Sequence, residues 1–169
     1  MRPSRGLLKR VSSERLMMTA DSISQEETKI MSGKLIENAI EALENSYAPY
    51  SGFNVAAAVL TDSGKIYTGV NVENSSYPAG ICAECNAVAK AVSCGERKII
   101  SIAIVSRNTR APKGGDGGYT SPCGICRQFL REFSDPKELK VIMAKSVDDY
   151  KEMTLEELLP LSFGPESLA

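Results

Sequence analysis

No histidine occurs anywhere in the 169 residues. That absence excludes Ser-His-Asp and Cys-His catalysis, histidine acid–base chemistry and every histidine-ligated metal site. A metal would have to be held by thiolates and carboxylates, and a proton carrier working near neutrality would be a tuned carboxylate or a thiol. Tryptophan is absent as well, and positive charge is in no surplus: 20 Lys and Arg against 21 Asp and Glu leave a net charge of -1. Such a balance implies no general attraction to nucleic acid or to an anionic membrane surface. Long apolar runs are also missing, none approaching the ~20 residues of a membrane-spanning helix. With 43% apolar residues, the length suits one domain that buries a core of its own.

Cysteine is what the chain does have. Four of its five cysteines fall in two C-x-x-C pairs, Cys82 and Cys85 in GICAEC and Cys123 and Cys126 in PCGIC. In a chain that shows no secretory signal, this pattern favours metal over disulfides. Cys94 reads most simply as a small buried hydrophobe.

Residues 1–26 differ from the rest. Arg2, Arg5, Lys9, Arg10 and Arg15 face only Glu14 before Asp21, with serines among them. Two readings stand, a disordered leader on a cytoplasmic protein and a mitochondrial transit peptide. Residues 27–169 read as a single domain. Ile30, Ile36, Ile40, Ala42 and Leu43 recur at helical spacing from Glu27 to Asn45, and YAPYSGF breaks the pattern. FNVAAAVL (53–60) predicts a buried strand, DSGK (62–65) a tight turn and IYTGVNV (66–72) its hairpin partner. A helix is expected from Cys82 to a C-cap at Gly95, then a strand of the covered type over 99–106. A glycine-rich loop (107–120), a helix from CGICRQFLREF, a strand (139–145) and a short helix (155–159) complete the order. Helices alternating with strands predict an α/β layered domain with a mostly covered sheet, without internal repeats.

Both cysteine pairs sit where the chain enters a helix, and a helix N-terminus stabilises the thiolate that binds metal. In a closed arrangement all four cysteines would form a structural zinc site. Against it, residues 86–122 separate the pairs, well beyond the ~15–20 of common zinc ribbons, and a chain with this much core has little need of a staple. In an open arrangement Cys82, Cys123 and Cys126 hold zinc and water takes the fourth position. Zinc then lowers that water's pKa, and Glu84, two residues after a ligand, can receive and return its proton. Zinc deaminases share this order of ligand, x, Glu and then Pro-Cys-x-x-Cys, which here runs Cys82-Ala83-Glu84 and Pro122-Cys123-Gly124-Ile125-Cys126.

With PYSGFNVAAAVLT, NVENSSYPAGICAE, SPCGICRQFLREF and ELLPLSFGP, the chain from about Ile30 onward resembles the small homotetrameric cytidine deaminases of pyrimidine salvage. The resemblance implies a three-layer α/β/α sandwich around a central mixed sheet, with active sites completed by neighbouring subunits. It implies hydrolytic deamination of cytidine, and of deoxycytidine, through zinc-bound hydroxide. Cys82, Cys123 and Cys126 would be the zinc ligands and Glu84 the proton shuttle. Asn71 and Glu73 would hold the ribose 3'-hydroxyl, although alone they also read as a polar turn. Phe53 would pack on the pyrimidine, although by itself it reads as a core residue at a strand start. Tyr77 would lie near the ribose, and the Ala83 N–H would meet the base carbonyl. Phe163 would reach into a partner's site, or else anchor the terminus to its own domain.

Cys85 departs from the family pattern, which has arginine after the glutamate to offset thiolate charge, and Asn86 replaces the usual small residue. Loss of that cation is expected to make zinc a weaker Lewis acid. Cys85 could instead turn inward as a fourth ligand, since positions three apart share a helix face. Three rivals follow: a polynucleotide deaminase, disfavoured by the charge and by Glu73; a deaminase of cytosine nucleoside antibiotics; and a catalytically silent, zinc-stapled subunit.

Overall fold

The computed structural model describes residues 20–111 and 118–168, with side chains from Glu26 onward. The leader expected over 1–26 therefore lies outside the described residues as far as residue 19, as does 112–117 of the glycine-rich loop. The chain divides into two units, Met1–Met31 and Ser32–Ala169, and the second carries the sheet and the cysteines.

Helix α1 (Ala20–Ala42) and a single 3-10 turn (Leu43–Asn45) precede the sheet. Within the second unit α1 buries Leu35, Ile36 and Ala39, with Leu43 one turn on. Ile40, expected on that face, is 40% exposed, because a 100° step from Ala39 carries it off the stripe.

Strands β1 (Phe53–Thr61), β2 (Ile66–Val70), β3 (Ile99–Asn108), β4 (Lys140–Ala144) and β5 (Tyr150–Thr154) form one mixed sheet in the order β2-β1-β3-β4-β5. All neighbours are antiparallel except β3 and β4, where Ile102 pairs with Val141 and Ile104 with Met143. The continuous apolar runs of β1 and β3 follow from burial on both faces. Ala57, Val59, Ile102 and Ile104 point to the side covered by helices α2 (Ala83–Ser93), α3 (Gly124–Glu132) and α4 (Leu155–Leu158), while Ala56, Ala58, Ala103 and Val105 point to α1. The result is the three-layer α/β/α sandwich around a mixed sheet. Among the described residues no helix is long and apolar enough to cross a membrane.

Two local features place α2. Gly69 on β2 lies against the first turns of the helix, where an added Cβ would stand 2.6 Å from Ala83 O, 2.8 Å from Asn86 C and closer still to Ala87 N. At its other end Gly95 (φ +95) follows the C-cap Cys94. The Gly95 N–H donates to Val92 O (3.0 Å) and the Glu96 N–H to Ala91 O (3.1 Å), the paired bonds of a Schellman stop.

β2 ends at Val70, two residues short of the expected 72. The Asn71 side chain takes over the ladder there, its Oδ1 accepting from the Val55 N–H (2.8 Å) and its Nδ2 donating to Phe53 O (2.9 Å). β5, Tyr-Lys-Glu-Met-Thr, was not expected from the sequence. It is a charged edge strand whose Glu152 pairs with Lys140 at 3.3 Å, and edge strands need no apolar run.

Candidate functional site

The N-caps of α2 and α3 are Cys82 and Cys123, both in extended backbone conformation. Each helix start leaves N–H groups without helical partners, and one of them, Cys126 N–H, donates to Cys123 Sγ at 3.5 Å. Packing α2 beside α3 brings the two cysteine pairs together. Cys82 Sγ lies 4.0 Å from Cys123 Sγ, and Cys123 Sγ lies 3.5 Å from Cys126 Sγ. All three sulfurs fall within 4.8 Å of one another. Two thiolates about 2.3 Å from a tetrahedral zinc stand roughly 3.8 Å apart, so the trio fits such an ion.

Cys85 is not part of that set. Its Sγ meets Cys126 Sγ at 3.7 Å, from one turn further along α2 than Cys82. The thiols share protons unequally. Hydrogen bonding to Cys126, reinforced by Cys123, brings the Cys82 thiol down to about 6. The same contact with Cys82, then that with Cys85 and then burial push Cys126 up.

Glu84 occupies the first turn of α2 and is only 5% exposed. Burial raises its pKa, opposed by its own backbone N–H and by Cys126. No ion pair reaches it among the described residues.

Beside the sulfurs, Asn71, Glu73, Tyr77 and Cys82 line a cavity of about 460 Å³ together with Tyr50 and Ser51. Glu73 Oε2 accepts from the backbone N–H groups of Tyr50 (2.9 Å) and Ser51 (3.1 Å). These bonds, and above all the Ser51 side chain, hold its carboxyl below the ordinary range. It is therefore an ionised acceptor. Asn71 has its amide orientation fixed by the Val55 N–H, which can only donate, and by Phe53 O, which can only accept. With Ser46 Oγ 2.6 Å from Asn71 Oδ1, the oxygen is committed, and among the described residues Nδ2 donates only to Phe53 O. Tyr77 starts a 3-10 turn, and its ring meets that of Tyr50 edge-on at 6.3 Å.

The remaining expected residues stand off this cavity wall. Ala83 is buried at the first position of α2, and Phe53 is half-buried at the start of β1. Phe163 is 59% exposed on the C-terminal segment, where its carbonyl accepts from Gln128 Nε2 at 3.0 Å. Tyr50 and Ser51 were missed by sequence reasoning, since nothing in PYSGF signals that its backbone N–H groups grip a carboxylate. Asn86, the other departure, donates through Nδ2 to Val70 O (3.2 Å) and ties α2 to the end of β2.

Residues 30–143 match the family model described as the cytidine and deoxycytidylate deaminase zinc-binding region. The cytidine deaminase of Halalkalibacterium halodurans is 41% identical over 134 residues, covering 79% of this chain and 95% of that protein. The crystal structure of cytidine deaminase from Burkholderia pseudomallei superposes with a TM-score of 0.67 at 39% identity, over 77% of this chain and 97% of that one. That from Mycobacterium tuberculosis gives 0.64 at 38% identity, over 78% and 95%. A three-sulfur cluster at two helix starts, a buried glutamate beside it, the shared sandwich and these matches have one meaning: the chain belongs to the cytidine deaminase family.

Proposed function

We propose that the protein hydrolytically deaminates cytidine and deoxycytidine to the uracil nucleoside and ammonia, in cytoplasmic pyrimidine salvage. The observation that carries this reading is Glu84, buried and, among the described residues, without an ion-pair partner, in the first turn of the helix that Cys82 caps. Cys82, Cys123 and Cys126 would hold zinc, which when bound supplies Lewis acidity and lowers the pKa of the attacking water. Glu84 would receive that water's proton and pass it to ring nitrogen N3 as C4 is attacked, then take the remaining proton from the new C4 hydroxyl and deliver it to the amino group as the C4–N bond breaks and ammonia leaves. A carboxylate already raised by burial suits both directions of transfer near neutrality.

The cavity selects a free hydroxyl. Asn71 offers a donor and Glu73 an acceptor, the complement of the ribose 3'-hydroxyl. A 3'-phosphodiester would instead meet the Glu73 charge, which argues against a polynucleotide substrate. The Ala83 N–H, free of helical partners, would meet the base carbonyl, and Phe53 and Tyr77 would flank the nucleoside. Phe163, exposed in the single chain, would complete the site of a neighbour in a homotetramer, with 27–169 as the domain and 1–26 as a leader.

The test is cytidine deamination by zinc-loaded protein, followed by ultraviolet absorbance, with Glu84→Gln as control. Turnover that disappears in the control upholds the reading. A folded, zinc-holding protein without turnover on cytidine or deoxycytidine would overturn it in favour of a silent zinc-stapled subunit or another cytosine nucleoside. Light scattering that showed a monomer would remove the shared-site role of Phe163.

A further inference from the structure

The two halves of the sulfur cluster are fixed by different means. Cys82 follows a backbone bridge in which Val72 and Ile81 exchange N–H···O bonds of 3.0 Å each. Among the described residues Cys123 has no such bridge: it follows Pro122, which lacks an N–H, on a segment that is not a strand. The residue that bonds to the backbone beside Cys123 is Arg127. The Arg127 Nε donates to Pro122 O (2.7 Å), and its backbone N–H donates to Cys123 O (2.9 Å). The carbonyls on both sides of Cys123 are thus held by one residue. The rest of the guanidinium extends the clamp, with Nη2 donating to Ser121 Oγ (2.9 Å) and Nη1 to Leu158 O at the end of α4 (2.8 Å).

We infer that Arg127 is a positioning residue that sets the geometry of the Cys123 sulfur and hence the affinity of the metal site. The inference rests on Cys82, Cys123 and Cys126 being the zinc ligands. A planar fork suits the task, since its three side-chain bonds hold the Pro122 carbonyl that precedes Cys123 and tie it at once to Ser121 and to the end of α4. Lysine keeps the charge but presents a single ammonium point and cannot span Pro122 O, Ser121 Oγ and Leu158 O together. Supporting groups around a metal site typically contribute 10- to 100-fold in affinity.

Arg131 provides the internal comparison. It lies one turn further along α3, is more deeply buried, and binds Ser162 Oγ (3.0 Å) and Glu166 of the C-terminal segment rather than the cysteine loop. Its loss should cost stability and leave zinc alone.

The experiment is zinc affinity of the full-length protein by competition with a chromophoric chelator, together with the visible spectrum of the cobalt-substituted protein. Arg127→Lys is expected to weaken zinc about 10- to 100-fold and to shift the cobalt bands. Ser121→Ala, which removes one arm of the clamp, should weaken it less, and Arg131→Gln should keep wild-type affinity. Wild-type affinity and spectrum in Arg127→Lys would overturn the inference, and so would an equal loss in Arg131→Gln, which would make the effect one of general stability. If Arg127→Lys does not fold, Ser121→Ala decides: weakened zinc upholds the clamp and unchanged zinc overturns it. Wild-type protein that takes up no zinc would instead end the reading of the three ligands, an outcome distinct from failure of the clamp.

Discussion

Two nearly buried glutamates, one in the first turn of α2 and one just past its end, have opposite settings. Glu84, at the start, is 5% exposed and has no ion-pair partner among the described residues, and burial raises its pKa. Glu96, just past the Schellman stop, is 8% exposed, but it accepts from Lys65 Nζ (3.0 Å) and from the Tyr67 hydroxyl (3.2 Å). The Lys65 hydrogen bond leads the causes that lower its pKa. One side chain type thus has a solved environment just past one end of the helix and an unsolved one at the other. A carboxylate whose environment disfavours its charge is available for proton transfer, and one that is paired is fastened down. The unsolved end is also the end that gathers the three sulfurs.

The largest effect expected from breaking this contrast is on turnover. Glu84→Gln should lower kcat by about 10²- to 10⁴-fold while zinc content stays at the wild-type level, checked by steady-state kinetics beside metal analysis. Because a buried carboxylate that no ion pair reaches among the described residues is removed, the melting temperature should hold or rise. Next comes the seat of the helix. Gly69→Ala puts a methyl group against the backbone of α2, which cannot give way as a flexible side chain would. It should destabilise the fold by at least the roughly 1–3 kcal/mol of ordinary overpacking, seen as a lower melting temperature in the zinc-free protein.

A smaller effect is expected at Cys85, which touches Cys126 without joining the three-sulfur set. Cys85→Ala should keep one zinc per chain under dialysis, whereas Cys123→Ala should lose it. Cys85→Arg, which supplies a cation beside the thiolates, should shift the pH–rate profile toward lower pH. An unchanged profile would show that the side chain at 85 does not tune the metal. The smallest effect lies at the paired end. A carboxyl held below its ordinary value in the fold contributes stability above the ordinary glutamate pKa of about 4.3, and that stability is lost as pH falls through the lower folded value. Melting followed from pH 6 downward should therefore show Glu96→Gln with a shallower acid limb than wild type and with kcat unchanged.

How much of this was legible in the sequence depends on what holds each part. β1 and β3 show themselves because burial on both faces demands unbroken apolar runs. That Cys82, Cys123 and Cys126 meet was legible because two C-x-x-C pairs fall at helix starts, and Glu84 follows Cys82 into the first turn of α2. β5 was hidden, since an edge strand needs no apolar run, and Tyr150–Thr154 carries Lys151 and Glu152 in its middle. The grip of Tyr50 and Ser51 on Glu73, and of Arg127 on Pro122 and Cys123, was hidden for another reason: one partner in each bond is backbone, and every residue has the same backbone. The distance of Cys85 from the three sulfurs was not legible, because a helix turn places it near the cluster whether or not it joins.

Whether three or four sulfurs hold the metal is therefore the central claim, and X-ray absorption at the zinc edge of the resting, zinc-loaded protein tests it directly. The account predicts three sulfur neighbours near 2.3 Å and one oxygen near 2.0–2.2 Å, unchanged in Cys85→Ala. Four sulfurs in the wild type, falling to three in Cys85→Ala, would contradict it.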